Sequence, residues 1–271
     1  MVSIRPFLFA AALPLMLVAC GGDDGGETIV PTGEHYQYVA AKAFVPTTNK
    51  EATDFGLDLD GNGSVDNQLG KTLVSLKTVA MFDVQGTIDK AVAEGSIILL
   101  VDFQTEDFTN SSAAGLQILL GENPQPAACN ADEEYECEGT TCTGCGHHLT
   151  GGTFDVSAGS PDNAAVAGKI VNGTFNGGPG DLSLQIALGG TEAIQLDLVG
   201  ARARLTGISE DGIMSAILAG ALTQEVLDNT VLPAIHANLA PTIEDDCDPQ
   251  GTPPECGCGA GSTGASILAF L

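Results

Sequence analysis

Asp58, Asp60, Asn62, Ser64 and Asp66 alternate through the run Asp58-Leu59-Asp60-Gly61-Asn62-Gly63-Ser64-Val65-Asp66. Alternate residues of a tight loop turn their oxygens toward one point, which is what a hard cation surrounded by six to eight oxygens requires. Counted from Asp58, carboxylates or an amide fill positions 1, 3, 5 and 9, with Gly63 at position 6 to allow the sharp turn. Ser64 offers its carbonyl, and Val65 is expected to pack the loop against its surroundings. A plain acidic turn is the competing reading, because Asp60-Gly61 and Asn62-Gly63 both favour tight turns.

The run resembles the first nine positions of an EF-hand-type calcium loop. It departs at position 12, where Leu69 replaces the bidentate glutamate. The closer likeness is to the looser Asp-x-Asp-x-Asn-Gly loops of extracellular modules, whose later ligands vary. Another acid, Asp54 or Glu51, is then expected to complete the shell. The expected cofactor is calcium, held weakly, with a dissociation constant on the order of 0.1–1 mM.

Cysteines form the second chemical pattern. Beyond Cys20 they are Cys129, Cys137, Cys142, Cys145, Cys247, Cys256 and Cys258. In an oxidising compartment these are disulfide candidates. The first four lie in one segment, 123–148, and can make two bridges. Cys256 and Cys258 are too close to pair easily with each other, so Cys247 is expected to take one of them; one thiol is then left over, or else a pair crosses between the two Cys-rich segments. Zinc is the rival reading: Cys142-Thr143-Gly144-Cys145-Gly146-His147-His148 has metal-ligand spacing, with Cys129 or Cys137 to complete a set. Disulfides are the preferred reading of the two.

Other motifs are weak. Gly259-Ala260-Gly261-Ser262-Thr263-Gly264 fits Gly-x-Gly-x-x-Gly but has no room after it for a βαβ unit. Neither Gly-x-Ser-x-Gly nor His-Glu-x-x-His occurs. Of His35, His147, His148 and His236, none stands in a nucleophilic setting, and His236 beside an apolar helical stripe reads as structural. Arg202 and Arg204 share one strand face and are expected to pair with neighbouring acids rather than to bind an anion. Paired carboxylates for glycoside chemistry would usually sit beside Trp or Tyr platforms, and the chain has no Trp. No catalytic residue is assigned.

The elements that must position these groups show as hydrophobic periodicity. Leu69, Leu73 and Leu76 predict a helix leaving the acidic loop, and Val84, Ile88, Ala91 and Val92 predict a second, with Gly95 at its C-terminus. Residues 96–103 and 115–120 read as buried strands, and a further strand lies within 29–45. Runs at 153–156, 166–175, 181–188, 194–205 and 213–219 are strand-like and separated by Gly, Asn, Pro and Asp. In 194–205 the apolar phase changes from even positions (Ile194, Leu196, Leu198) to odd ones (Ala201, Ala203, Leu205), which predicts a single-residue bulge near Val199-Gly200. Thr223 caps a helix with the stripe Leu227, Val231, Ile235, Leu239, and Pro233 either kinks it or restarts it. Residues 244–258 form a second acidic, Cys-bearing loop, and Ser266-Ile267-Leu268-Ala269-Phe270-Leu271 is an apolar run expected to dock as a strand or helix. The expected fold is mainly β (α+β): an antiparallel β-sandwich-like or strongly curved sheet with two or three flanking helices and Cys-rich loops.

Residues 1–19 read as a secretory signal, with Arg5 as the positive region and Phe7 to Val18 as an apolar stretch too short to span a bilayer comfortably. The stretch ends in Leu17-Val18-Ala19-Cys20, which resembles the lipobox of bacterial lipoproteins. The resemblance implies removal of 1–19, acylation of Cys20 with diacylglycerol and an amide-linked, palmitate-type chain, and stable anchoring by several acyl chains at one point. Residues 20–28, opening Cys20-Gly21-Gly22-Asp23-Asp24-Gly25-Gly26, form a flexible tether, and residues 29–271 form a single β-rich domain. No acid directly follows Cys20, which by the same resemblance favours the outer membrane.

Net charge sharpens this picture. The 271 residues carry 9 basic and 35 acidic side chains, a formal charge of −26. That excludes a general nucleic-acid binder, which needs clustered Lys and Arg. Acids gather at the Asp58 loop, at 132–138 and at 244–248, so the charge reads as three local cation-attracting loops. Residues 56–70, the lipobox and residues 202–239 together resemble uncharacterised lipoproteins of myxobacterial type. That family brings no known activity. The expectation is a calcium-stabilised envelope lipoprotein with a structural or partner-binding role and an unknown envelope or extracellular partner. The runner-up is a secreted or periplasmic hydrolase using acidic or metal-assisted chemistry.

Overall fold

Period-two alternation lays down long strands that then bend. The computed structural model describes residues 4–6, 29–80, 83–129, 136–138, 141–143, 145–160, 165–186 and 194–246. Strands are β1 (Ile4–Pro6), β2 (Glu34–Ala40), β3 (Leu99–Thr105), β4 (Ser111–Gln125), β5 (Glu136–Glu138), β6 (Thr141–Thr143), β7 (Thr153–Val156), β8 (Ala165–Val171), β9 (Thr174–Ile186), β10 (Ile194–Ser209) and β11 (Gly212–Ala221). Helices are α1 (Asn49–Asp54), α2 (Gln68–Ala80), α3 (Val84–Ala93), the short α4 (Gln224–Val226) and α5 (Leu232–Asp246).

Seven strands, in the order β2-β3-β4-β8-β9-β10-β11, pair antiparallel into a strongly curled half-barrel. β7 pairs with the far end of β4, and β1 lies between the edges β2 and β11. The curl follows from the core. Tyr38 (β2), Phe103 (β3), Leu116 (β4), Ile170 (β8), Phe175 (β9), Leu205 (β10) and Ile213 (β11) belong to one buried cluster. All seven strands can feed one cluster only if the sheet wraps around it. Of the two architectures expected, the curved sheet is therefore the one present.

Bulges supply the bend. β10 pairs Leu198 with Leu182 and Val199 with Ala221, but the register slips before Ala201 and Arg202 on its two sides. Gly200, at φ 59°, sits in the slip. The extra residue carries the buried face from Leu196 and Leu198 to Ala201, Ala203 and Leu205, as the phase change predicts.

β3 is apolar on consecutive residues because both its faces are covered. Val101 and Phe103 point into the half-barrel, while Leu100 packs with Val39, Ile98 and Phe154 outside it. The run 166–175 is two strands rather than the one expected. Asn172 (φ 49°) and Gly173 (φ 75°) turn the chain in a tight hairpin, pairing Val171 with Thr174.

A second buried cluster joins Leu73 and Leu76 of α2, Val84, Ile88 and Val92 of α3, Leu196 of β10 and Ile235 and Leu239 of α5. It fixes the helices against one end of the sheet. Thr223 caps α4, accepting a hydrogen bond from Val226 N. The helical run continues without a break through a wide π turn, Leu227–Val231, into α5, and that turn holds Asn229, the residue four before Pro233 whose carbonyl the proline cannot bond. Among the described residues no helix is long and apolar enough to cross a membrane.

Candidate metal centre

The acidic loop is held between two helices. Thr48 caps α1, accepting from Glu51 N at 3.2 Å. Asn67 does two jobs that the sequence analysis did not assign to it. Its Oδ1 accepts from Gly70 N at 2.9 Å, capping α2, and its Nδ2 donates to Ala52 O at 3.0 Å, tying α2 to α1. The loop base is closed where Asp66 N donates to Leu57 O at 2.9 Å and Leu59 N donates to Asp66 Oδ2 at 2.8 Å.

The loop tip turns on Gly61 (φ 79°) and Gly63 (φ 86°), a left-handed conformation that a side chain would strain. Asp58 accepts from Gly61 N at 2.7 Å and from Gly63 N at 2.8 Å. These N–H groups, Gly63 foremost, hold its carboxyl below the usual aspartate range. Asp60 accepts from Asn62 N at 3.0 Å and Asn62 Nδ2 at 2.8 Å, and Asn62 Oδ1 accepts from Ser64 N at 2.8 Å.

Oxygens of Asp58, Asp60 and Asp66 lie within 4.8 Å of one another, so this carboxylate cluster could hold a metal ion. Three like charges at that spacing repel by about 1 kcal/mol per pair even in water, and a cation relieves that. Donor chemistry fits a hard ion, since every side-chain candidate offers oxygen.

One supporting expectation is corrected. Glu51 and Asp54 do not join the cluster. Glu51 accepts from both Thr47 N and Thr47 Oγ1 at 2.8 Å, and Asp54 pairs with Lys50 one helical turn away. Val65 does pack the loop against its surroundings, as expected. It is 38% exposed, its Cγ1 lying over Gly56. Leu69, at the position where an EF-hand has its glutamate, packs on the helical cluster instead.

Of the cysteines, Cys129 and Cys145 are bonded to each other, with Cα atoms 4.7 Å apart. That bond uses the Cys129 and Cys145 thiols and removes both from the rival zinc set. Cys137 and Cys142 are backbone register partners in the β5–β6 pair. Cys20, Cys247, Cys256 and Cys258 lie outside the described residues, as do the tether and most of the 244–258 loop.

The remaining single residues separate clearly. His35 Nδ1 meets Asp102 Oδ1 at 2.8 Å on an exposed part of the β2–β3 pair. Arg204 donates to Asn176 Oδ1 at 3.3 Å, and among the described residues neither it nor Arg202 makes the expected ion pair. His236 is exposed on α5.

His148 is fully buried, edge-on to Phe154 at 6.1 Å and close to the backbone of Gly95. Neither ring nitrogen has a partner in hydrogen-bonding geometry. Burial foremost, and His147 next, push its pKa from 6.5 down to about 4, and the nearby Val92 backbone is a weaker opposing influence. The neutral ring is therefore the folded form. Between pH 6.5 and 4 the unfolded chain takes up a proton that the folded chain refuses. Stability should be full above that window and fall by at most about 3 kcal/mol across it. Urea unfolding at stepped pH should show this slope, and His148→Phe should flatten it; an equal slope in the variant would assign the effect elsewhere.

Compared with protein-family models, with curated proteins and with solved structures, the chain matches none of them.

Proposed function

We propose that the protein is a calcium-stabilised lipoprotein of the cell envelope, anchored through acylated Cys20 in the outer membrane, with a structural or partner-binding role. The Asp58/Asp60/Asp66 cluster between α1 and α2 is the observation that carries the calcium part. Asn62 Oδ1 and the Ser64 carbonyl would add oxygens, and water would complete the six to eight a calcium ion takes. With only three carboxylates and no bidentate glutamate, the site suits the millimolar calcium of extracellular modules. The Cys129–Cys145 bond is in keeping with an oxidising compartment.

Calcium at about 10 mM should raise stability over the chelated protein by about 2 kcal/mol if the dissociation constant is near 0.3 mM. Thermal melts with calcium and with chelator test this, and coincident melts would count against it. The anchor is tested separately. Detergent-extracted protein should have a mass starting at Cys20 plus acyl chains, and Cys20→Ser should release it from the membrane fraction. A chain that keeps residues 1–19 and no lipid would overturn the anchor.

A further inference from the structure

We propose that the outer face of β8, β9 and β10 binds a single phosphate group carried by a small soluble molecule, through Lys169, Asn176, Arg202 and Arg204. This site stands apart from the calcium and anchor readings and depends on neither.

Register gathers these groups. Lys169 of β8 and Arg204 of β10 are both backbone partners of Asn176 on β9. Partners in one row project from the same face of the sheet, so an ammonium, an amide and a guanidinium stand side by side across about 10 Å. Ile170, Phe175, Ala203 and Leu205, which alternate with them, belong to the core, so the row faces outward. Lys169, Asn176 and Arg204 are exposed. Arg202 lies on the same face two residues before Arg204, about 7 Å along the strand.

The set offers donors and no carboxylate. Asn176 Oδ1 accepts from Arg204 Nε at 3.3 Å, which turns the amide's Nδ2 into a free donor and leaves the Arg204 Nη pair as a fork. Arg202 lies across β9 where Gly178 leaves room, since a Cβ there would stand 3.1 Å from Arg202 Cγ. Its Nε is shielded from water and has no hydrogen-bond partner, so the guanidinium is already partly desolvated. Among the described residues no acid forms an ion pair with Lys169, Arg202 or Arg204, in a chain that carries 35 acids. Asp197, the one acid of β10, accepts from Ser183 and Gln195 instead. Unpaired cations this close repel one another, and a ligand that only accepts hydrogen bonds relieves that. Phosphate oxygens match the guanidinium fork. Ligand size follows from the rest of the charge. Screening over about 8 Å lets one phosphate feel mainly these three cations. A long polyanion would also meet the remainder of a chain whose net charge is −26.

The test uses the full protein in detergent, freed of calcium so that phosphate cannot act through the Asp58 loop. Acetylation of Lys169 is followed by mass spectrometry, with exposed Lys71 of α2 as internal reference. Inorganic phosphate is titrated against sodium chloride of equal ionic strength. Phosphate is expected to lower the Lys169-to-Lys71 labelling ratio about fivefold at saturation, through a charge-assisted contact that chloride does not reproduce. Arg202→Gln and Arg204→Gln are each expected to raise the phosphate midpoint about tenfold, the loss of one hydrogen bond between charged groups, with the melting temperature unchanged. A labelling ratio that phosphate leaves unchanged overturns the site, and so does protection that survives in the double variant. Protection by phosphatidylglycerol vesicles but not by inorganic phosphate overturns the small soluble occupant in favour of a lipid surface.

Discussion

Phe103→Ala should lower stability by about 3–5 kcal/mol, the usual range for emptying a buried phenylalanine site. Phe103 is wholly buried on β3 and meets Phe175 of β9 edge to face, centroids 5.2 Å apart and planes at 88°. β3 and β9 are not neighbours in the sheet. This pair therefore packs across the hollow of the half-barrel and holds its curl, rather than joining adjacent strands. Against the 5–15 kcal/mol of a typical domain, such a loss is a large fraction. Urea unfolding would read it as a lower midpoint. A Phe103/Phe175 double-mutant cycle should return about 0.5–1.5 kcal/mol of coupling. Val171→Ala, at a side chain 57% exposed, should stay within about 0.5 kcal/mol. Equal losses for Phe103 and Val171 would contradict the placement of the core.

Removing the Cys129–Cys145 bond by a double Cys→Ala change should cost about 3 kcal/mol, the chain-entropy value for a closed loop of its 16-residue separation. The native side adds to the argument. Beside the bond Gly146 N donates to Ala128 O at 2.9 Å, and Gly146 leads directly into the turn that carries buried His148. Losing the cross-link frees the segment that covers β3 and the Phe154 cluster from outside. Melting curves with and without reductant should differ more for the native chain than for the double variant. A native melt unaffected by full reduction would contradict a stabilising role for this bond.

Much of the fold was legible because its determinants are local. The helices at 68–80 and 84–93 follow from apolar spacing, and the β10 bulge follows from one shift of phase at Gly200. Where the local signal is mixed, neighbouring elements merge in the sequence pattern. Val166 to Phe175 is apolar on both sides of Asn172-Gly173, and that content outweighed a turn dipeptide which was present in the sequence. Local sequence does not separate curl from a sandwich, because curl depends on the pairing of β4 with β3, β8 and β7, contacts that no window of sequence contains.

The candidate site divides in the same way. Ligand spacing from Asp58 to Asp66 is a local pattern, and the structure gathers three of its carboxylates. Glu51 and Asp54 have the charge and the nearness in sequence that a further ligand needs. Closer competitors, Thr47 and Lys50, take both of them. Asn67 carries no local signal, because its role is to cap one helix and tie it to another, a function visible only once α1 and α2 are side by side. Which cysteines pair was equally hidden, since it depends on the chain folding back at Ala128 and Gly146.

Calorimetric titration of calcium into the purified, chelator-treated protein tests the central claim most directly. One site should saturate with a dissociation constant on the order of 0.1–1 mM, and Asp58→Ala should abolish the heat while leaving the curled sheet intact by circular dichroism. No calcium heat in the native protein, or the same heat in native and Asp58→Ala proteins, would reduce the loop to an acidic turn.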